Sequence, residues 1–379
     1  MNLTEVRKLF PHLQTDQIYF NHAAIGPWSS LVLNRINEYA QQRSSVKIEN
    51  YKSYLKWNSG AKEKLGKILG TTPDRLAWVD NVSNGLNILA QGLDWKPGDR
   101  IILNDIEFPS NIYPFLNLQR QGVEIDLIKS RNGIVDLEDI EKVITPKTKL
   151  VSISIVQFLS GYRADMDAIG ELCKQYGIIF CVDAIQGVGV VQVDVGKSKI
   201  DFLSGGTQKW LMSSQGLSYI FLTEELQNRL VQKNVGWTSV ENSWNLLDYD
   251  LTLKPVADRF QNGTTNALGV AIFDSMLDLF LEFGMENVEN RILENTNYFL
   301  ERLSQIDVQP ILKDVAEKRL AGIVTFKHEK AKEIYNELEK RRTYAAVREG
   351  MVRFAPHFYN TIEEIERVVK QLENFIAGR

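Results

Sequence analysis

Between residues 76 and 222 short apolar runs alternate with segments of helical period, the signature of βαβ units and a mainly parallel sheet. Seven runs read as strands, at 76–79, 100–103, 124–128, 150–156, 178–182, 201–204 and 219–222. Several are apolar at nearly every position, as strands covered by helices on both faces must be. A helix over 165–176, with Met166, Ile169, Leu172 and Cys173 on one side, is one such cover. After Gly263 the pattern changes to long helices near 266–283 and 285–304. A strand at 320–326, a helix near 330–341, a strand at 351–355 and an amphipathic helix over 361–376 follow. The reading is an α/β fold with a large domain over 15–262 and a small α+β domain built from 1–14 and 263–379. No repeat or low-complexity linker separates them, so the two are expected to pack on each other.

Composition changes this picture little. A chain of 379 residues has room for more than one core, and 44% hydrophobic with 24% charged residues is ordinary for a globular protein. A net charge of -4 with interspersed signs gives no basic field for a phosphate backbone, so no nucleic-acid partner is expected. The first residues carry Glu5, Arg7 and Lys8 where a signal peptide needs an apolar core, and no apolar run is long enough for a bilayer. A cytoplasmic protein without a membrane partner is the expectation. Cys173 falls in a helical pattern and Cys181 in a strand pattern, which reads as two buried free thiols and no disulfide or metal pair.

Ligands of open α/β sheets bind beyond the carboxyl ends of the strands, and three polar places lie there. Asp183, followed by Gln186, ends an apolar strand, and a buried acid needs a cation or several donors. A protonated pyridine nitrogen is one such cation; a turn or helix cap is the plainer use of the same residue. Lys209 follows Gly205 and Gly206 on a loop at the same rim, where an amine can condense with an aldehyde cofactor and move protons, or simply face water. Residues 81–85, with Ser83 and Asn84, join a strand to a helix, which suits either an anion site or an ordinary N-cap.

In order and spacing the three places resemble the class V aminotransferase family of fold-type I enzymes, which includes cysteine desulfurases, kynureninase and isopenicillin N epimerase. The resemblance covers nearly the whole chain. It implies a seven-stranded, mainly parallel sheet with helices on both faces, and pyridoxal 5′-phosphate (PLP) bonded to the amine of Lys209. It also implies Asp183 at the pyridine nitrogen, Gln186 at the ring hydroxyl, Gln208 beside the lysine, and Ser83 and Asn84 at the phosphate. Phe108, after Glu107, matches the residue that stacks on the ring. The stretch from Arg259 to Thr264 resembles the segment that reaches the other subunit's phosphate site, and Gly236-Trp237 resembles a kynureninase-like phosphate contact. Both imply a homodimer with shared sites. Asn21 and His22 fall in the segment lining the substrate side. Arg353 matches the arginine that holds the carboxylate of an amino-acid substrate, a task its forked guanidinium suits.

The chain also departs from the pattern. No cysteine lies between Val347 and Arg353, and Phe108 and Gln208 stand where desulfurases have histidines. Gln157 or Phe158 stands for the usual asparagine near the ring hydroxyl. Gly206 stands for a phosphate-binding serine, leaving backbone amides, Trp237 or Thr207 for that task. On these grounds a cysteine desulfurase is not expected. The expected activity is transamination, with a lyase or epimerase as the alternative and a catalytically silent regulator as the non-enzyme rival. His22 and His357 are the candidate acids, and packing or capping is an equal use of each.

Overall fold

The computed structural model describes residues 1–378. Seven strands form one sheet: β1 (Leu76–Val79), β2 (Arg100–Asn104), β3 (Glu124–Ile128), β4 (Thr148–Ser154), β5 (Ile179–Asp183), β6 (Phe202–Gly206) and β7 (Ser218–Leu222). Their order is β1-β7-β6-β5-β4-β2-β3. β7 runs antiparallel to both neighbours, and the remaining pairs are parallel. The period of two sends Leu150, Ile179, Cys181 and Phe202 to one face and Val151, Phe180, Val182 and Leu203 to the other. Both sets are buried, which is why these strands read as unbroken apolar runs.

Helices supply the covers. On the first face lie Leu86 and Leu89 of a helix over Val82–Gly92, and on the second lie residues of helices over Tyr51–Leu69 and Ala267–Phe283. We label the helices α1 (Ser30–Gln41), α2 (Tyr51–Leu69), α3 (Val82–Gly92), α4 (Met166–Tyr176), α5 (Ala267–Phe283) and α6 (Met285–Leu303). In α2, Trp57, Ala61, Leu65 and Leu69 recur every four residues and form one buried stripe. α5 is apolar nearly all round because it is enclosed between that stripe and the sheet. The boundary expected at 263 therefore precedes a helix whose side chains join the core beneath the large sheet.

A second sheet, β8 (Val324–Lys327), β9 (Ala346–Arg348) and β10 (Met351–Phe354), is antiparallel in the order β9-β10-β8. Its core joins Phe326, Val352 and Phe354 to Phe299 of α6 and to Val368 of α8 (Ile362–Ile376), with α7 (Ala331–Lys340) beside it. α8 starts on a capping box of Thr361 and Glu364. The expected strand at 320–326 begins only at Val324, because pairing with β10 starts there. The expected strand at 150–156 likewise ends at Ser154, and Val156 makes only an isolated bridge to Arg163. Near the start of the chain, Ile18–Tyr19 pairs with Thr343–Tyr344 and Asn21 bridges Ala355, which ties the amino-terminal segment to the second sheet. Among the described residues no helix is long and apolar enough to cross a membrane.

Candidate active site

The carboxyl ends of β1, β2, β5 and β6 meet at one rim. Asp183 closes β5 and is 1% exposed. Its Oδ1 accepts from the Ile185 amide at 2.9 Å, and no other donor reaches the carboxylate among the described residues. Burial pushes its carboxyl above the usual range; the Ile185 N–H works against that, Glu107 adds to it, and Lys209 opposes it. An acid so placed is short of donors.

Lys209 lies in the turn that follows β6. Its Nζ stands 5.6 Å from the centre of the Phe108 ring and makes no hydrogen bond among the described residues. Burial pulls the amine below the ordinary lysine range, Asp183 opposes that, and Arg353 and Arg348 reinforce it. The turn is pinned from the amino-terminal segment, where the Gly26 amide donates to the Gln208 carbonyl at 2.8 Å. A Cβ on Gly26 would sit 2.3 Å from the Lys209 carbonyl oxygen, so glycine is required for this close approach. At Gly206 a Cβ would come within 2.7 Å of Gln208 Oε1, a side-chain end that can move aside.

Phe108 is 44% exposed, unusual for a phenylalanine at the rim of a buried sheet, and packs edge-to-face on Phe158 at 5.3 Å. It offers a free aromatic face beside the lysine. At the other side of the rim, Asn81 caps α3 through the Asn84 amide at 2.9 Å, leaving the first amides of the helix at its open end. Ser83 Oγ donates to Ser110 Oγ at 2.8 Å, so two hydroxyls stand together there. The side chain of Asn84 turns away, donating to both Asp80 oxygens at 2.7 and 2.9 Å.

Arg353 on β10 is 2% exposed, donates from Nη1 to the Phe158 carbonyl at 2.7 Å and keeps its Nε buried without a partner. No acid lies within ion-pair distance of it among the described residues. Burial, with Arg348 adding, pulls its guanidinium down to about 10. A buried cation lacking an anion is costly, and an incoming carboxylate would relieve it.

Other expected residues are placed differently. Gln186 Oε1 accepts from Trp210 Nε1 at 2.7 Å and its Nε2 donates to the Ala23 carbonyl at 3.0 Å, leaving one amide N–H and one lone pair unused. His22 is fully buried, with Nδ1 on the Ala355 carbonyl at 2.8 Å and Nε2 on Tyr359 Oη at 2.6 Å. His357 is equally buried, donating from Nε2 to the Trp210 carbonyl at 2.8 Å and accepting the Phe358 amide on Nδ1. Burial drives both rings toward the neutral form, His357 to about 3. Neither ring has a nitrogen left for a substrate, so the candidate acids are instead struts joining the Lys209 turn to the carboxyl-terminal segment. Asn21 keeps a buried Oδ1 without a partner. Thr264 shares a cavity of about 550 Å³ with Asn84, and Trp237 packs on Trp244 at 5.5 Å; neither touches the lysine group through a hydrogen bond or ring contact within this chain. Four residues had no role in the sequence reading or an open one: Ser110, Glu107, Gln157 and Arg348. The motif at 107–111 carries the signal for the first two, since an acid and a serine flank the stacking residue.

The family model described as Aminotransferase class-V matches residues 18–368. A Bacillus subtilis protein named uncharacterized aminotransferase YcbU is 27% identical, covering 97% of this chain and 96% of its own. A protein of Methanothermobacter thermautotrophicus named probable cysteine desulfurase is 26% identical over 100% of this chain and 99% of its own. Among solved structures, a mutant of C-DES with glycine covalently linked to its PLP cofactor superposes with a TM-score of 0.89 at 22% identity, covering 97% and 99% of the two chains. The expectation that a cysteine desulfurase is improbable is corrected here, because a relative with that name matches this chain from end to end.

Proposed function

Since the chain belongs to the class V aminotransferase family, we propose that it is a PLP-dependent enzyme acting at the α-carbon of an amino acid, with transamination as its reaction. PLP is the cofactor of that family, and the residues at the rim fit it. Asp183 lacks a cationic partner, Phe108 leaves a face free for a flat ring, and the start of α3 with Ser83 and Ser110 suits a phosphate. The observation that carries the reading is the Lys209 amine, unbonded between the Phe108 ring and the Asp183 charge.

Bound there, PLP supplies an aldehyde carbon and an electron-withdrawing ring. The chain's own residues do the rest. Lys209 would hold the cofactor and would be the base at the substrate's α-carbon, a task its lowered proton affinity suits near neutral pH. Asp183 would face the ring nitrogen, and Arg353 would hold the substrate carboxylate through its fork. The buried His22, Trp210 and His357 behind the turn keep the lysine in place and keep water from that side.

A second reading, cleavage of a sulfur-bearing amino acid, is supported by the full-length relative named as a desulfurase. Cys173 and Cys181 are both buried, and burial pushes Cys173 to about 12, so sulfur would leave on a fragment of the substrate and not on a thiol of this chain. Amino acids added singly, with no keto-acid acceptor, separate the readings through the visible spectrum. Stoichiometric conversion to a stable amine form of the cofactor means transamination. Return to the starting spectrum with release of sulfide or persulfide means the second reading.

The reading includes a homodimer. Tyr51, Trp237 and Trp244 pack on one another at 5.8 and 5.5 Å yet remain exposed, forming an apolar patch of the kind that partners cover. Light scattering at micromolar concentration should give twice the mass of the chain, and a persistent monomer would remove this part of the proposal.

A further inference from the structure

The second sheet has two faces, and the second core claims only one of them. Val324, Phe326, Val352 and Phe354 point into that core, and Val347 packs against it. The period of two sends their neighbours to the opposite face. In register these are Ala346, Arg353 and Thr325 in one row, and Arg348, Met351 and Lys327 in the next. Thr325 Oγ1 donates to the Leu159 carbonyl at 2.8 Å and Arg353 to the Phe158 carbonyl. The Phe158 ring packs on Phe108 beside Lys209, so this face looks onto the rim.

The two rows carry three cations and no acid. Arg353 is buried, whereas Arg348 and Lys327 are exposed one row farther out. Arg348 Nη1 donates only to the Val347 carbonyl at 2.8 Å, and none of the three makes an ion pair among the described residues. Arg348 and Arg353 are diagonal cross-strand neighbours, roughly 7 to 8 Å apart at the backbone. Like charges so placed repel, and an anion between them removes that cost. After burial, Arg348 is the further cause that pulls the Arg353 guanidinium down, and both arginines pull down the Lys209 amine against Asp183. The spacing is built in, because Glu349 and Gly350 have φ of 47° and 72°, as a two-residue type I′ turn demands, and this pins Arg348 opposite Met351.

We propose that Arg348, with Lys327 beside it, is a second anion site of the substrate pocket, so that the enzyme takes amino acids whose side chain ends in an acid group. This deepens the reading above and rests on it: Arg353 holds the carboxylate at the α-carbon, and the outer row holds the distal acid. A neutral side chain leaves the outer cations unpaired and gains nothing from them.

The test is calorimetric titration of the PLP-loaded protein with succinate and glutarate, diacids that have no amine to react, against butyrate and pentanoate, monoacids of the same lengths. The diacids should bind about tenfold tighter or more, the worth of one charge-assisted bond. Arg348→Gln should remove most of that preference, Arg348→Lys should keep part of it, and Lys327→Met should lower it by less. Arg353→Gln should weaken diacids and monoacids alike. Equal affinities in the wild type overturn the proposal, and so does a preference untouched by Arg348→Gln. An equal loss for both kinds of acid in Arg348→Gln also overturns it, since both arginines would then share one carboxylate. If thermal melting shows that Arg348→Gln does not fold, a full preference in both Arg348→Lys and Lys327→Met has the same consequence. Aspartate or glutamate should likewise change the visible band at about tenfold lower concentration than asparagine or glutamine, and equal concentrations would overturn the substrate class. A wild-type protein that shows no visible band with PLP sinks the cofactor reading itself, an outcome distinct from all of these.

Discussion

Arg353 carries a charge that the fold itself leaves unanswered, and its worth is set by geometry as much as by sign. Charge-assisted bonds contribute roughly 1.5 to 3 kcal/mol each, and a lysine offers a point charge where the guanidinium offers a fork. Arg353→Lys should therefore raise KM for the amino-acid substrate by about tenfold or more with a smaller fall in kcat, measured by steady-state kinetics. An unchanged KM would place the carboxylate elsewhere. Asp183 and Lys209 could be picked out as polar residues at strand ends, whereas Phe108 and Arg353 were singled out only through the family resemblance. What the sequence did not show is which neighbour claims each polar group: Trp210 and Ala23 bond Gln186, and Ala355 and Tyr359 bond His22, the packing use that was open for that ring from the start. Glu107 was passed over because its five donors come from four separate positions, two of them on or just beyond β4.

Among the elements, the seven strands were readable because both of their faces are buried, which leaves an apolar run that needs no alternation to be seen. α1 and α2 were not assigned, although the stripe of Trp57, Ala61, Leu65 and Leu69 is regular. Gly60 and Gly66 interrupt it and read as breakers. In the fold Gly60 lies so close to α5 that a Cβ would meet Asp274 Oδ1 at 2.6 Å, so packing outweighs propensity. Gly85 has the same logic in α3: a Cβ would meet Ser204 Oγ at 2.3 Å, and the bare backbone lets the helix start close beside β6, the strand that leads into the Lys209 turn.

Across the whole molecule, His22 and His357 tie three distant stretches of chain together as neutral rings. Unfolded, each would bind a proton below about pH 6.5; folded, each resists it. Stability is thus fully present above that value and is lost as pH falls, at up to ~1.4 kcal/mol per pH unit for each histidine, until the folded rings titrate. Denaturant midpoints taken from pH 7 to 4 should show this fall, and His357→Gln should flatten it by about one histidine's share. Equal slopes in the two proteins would mean that His357 binds protons alike in the folded and unfolded chains. The seven strands and the mainly parallel character of the large sheet were legible at this scale, whereas its strand order and the start of the second core were not. The sequence change after Gly263 marks where the helices lengthen, not which core they enter, and α5 enters the first.

The central claim is that Lys209 is the residue bonded to the cofactor. Borohydride reduction of the PLP-loaded protein makes that bond permanent, and peptide mass mapping then locates it. A pyridoxyl-phosphate mass increment on the peptide containing Lys209, absent in Lys209→Ala, is the predicted result. An increment on another lysine, or none on a protein that binds PLP, would contradict the account.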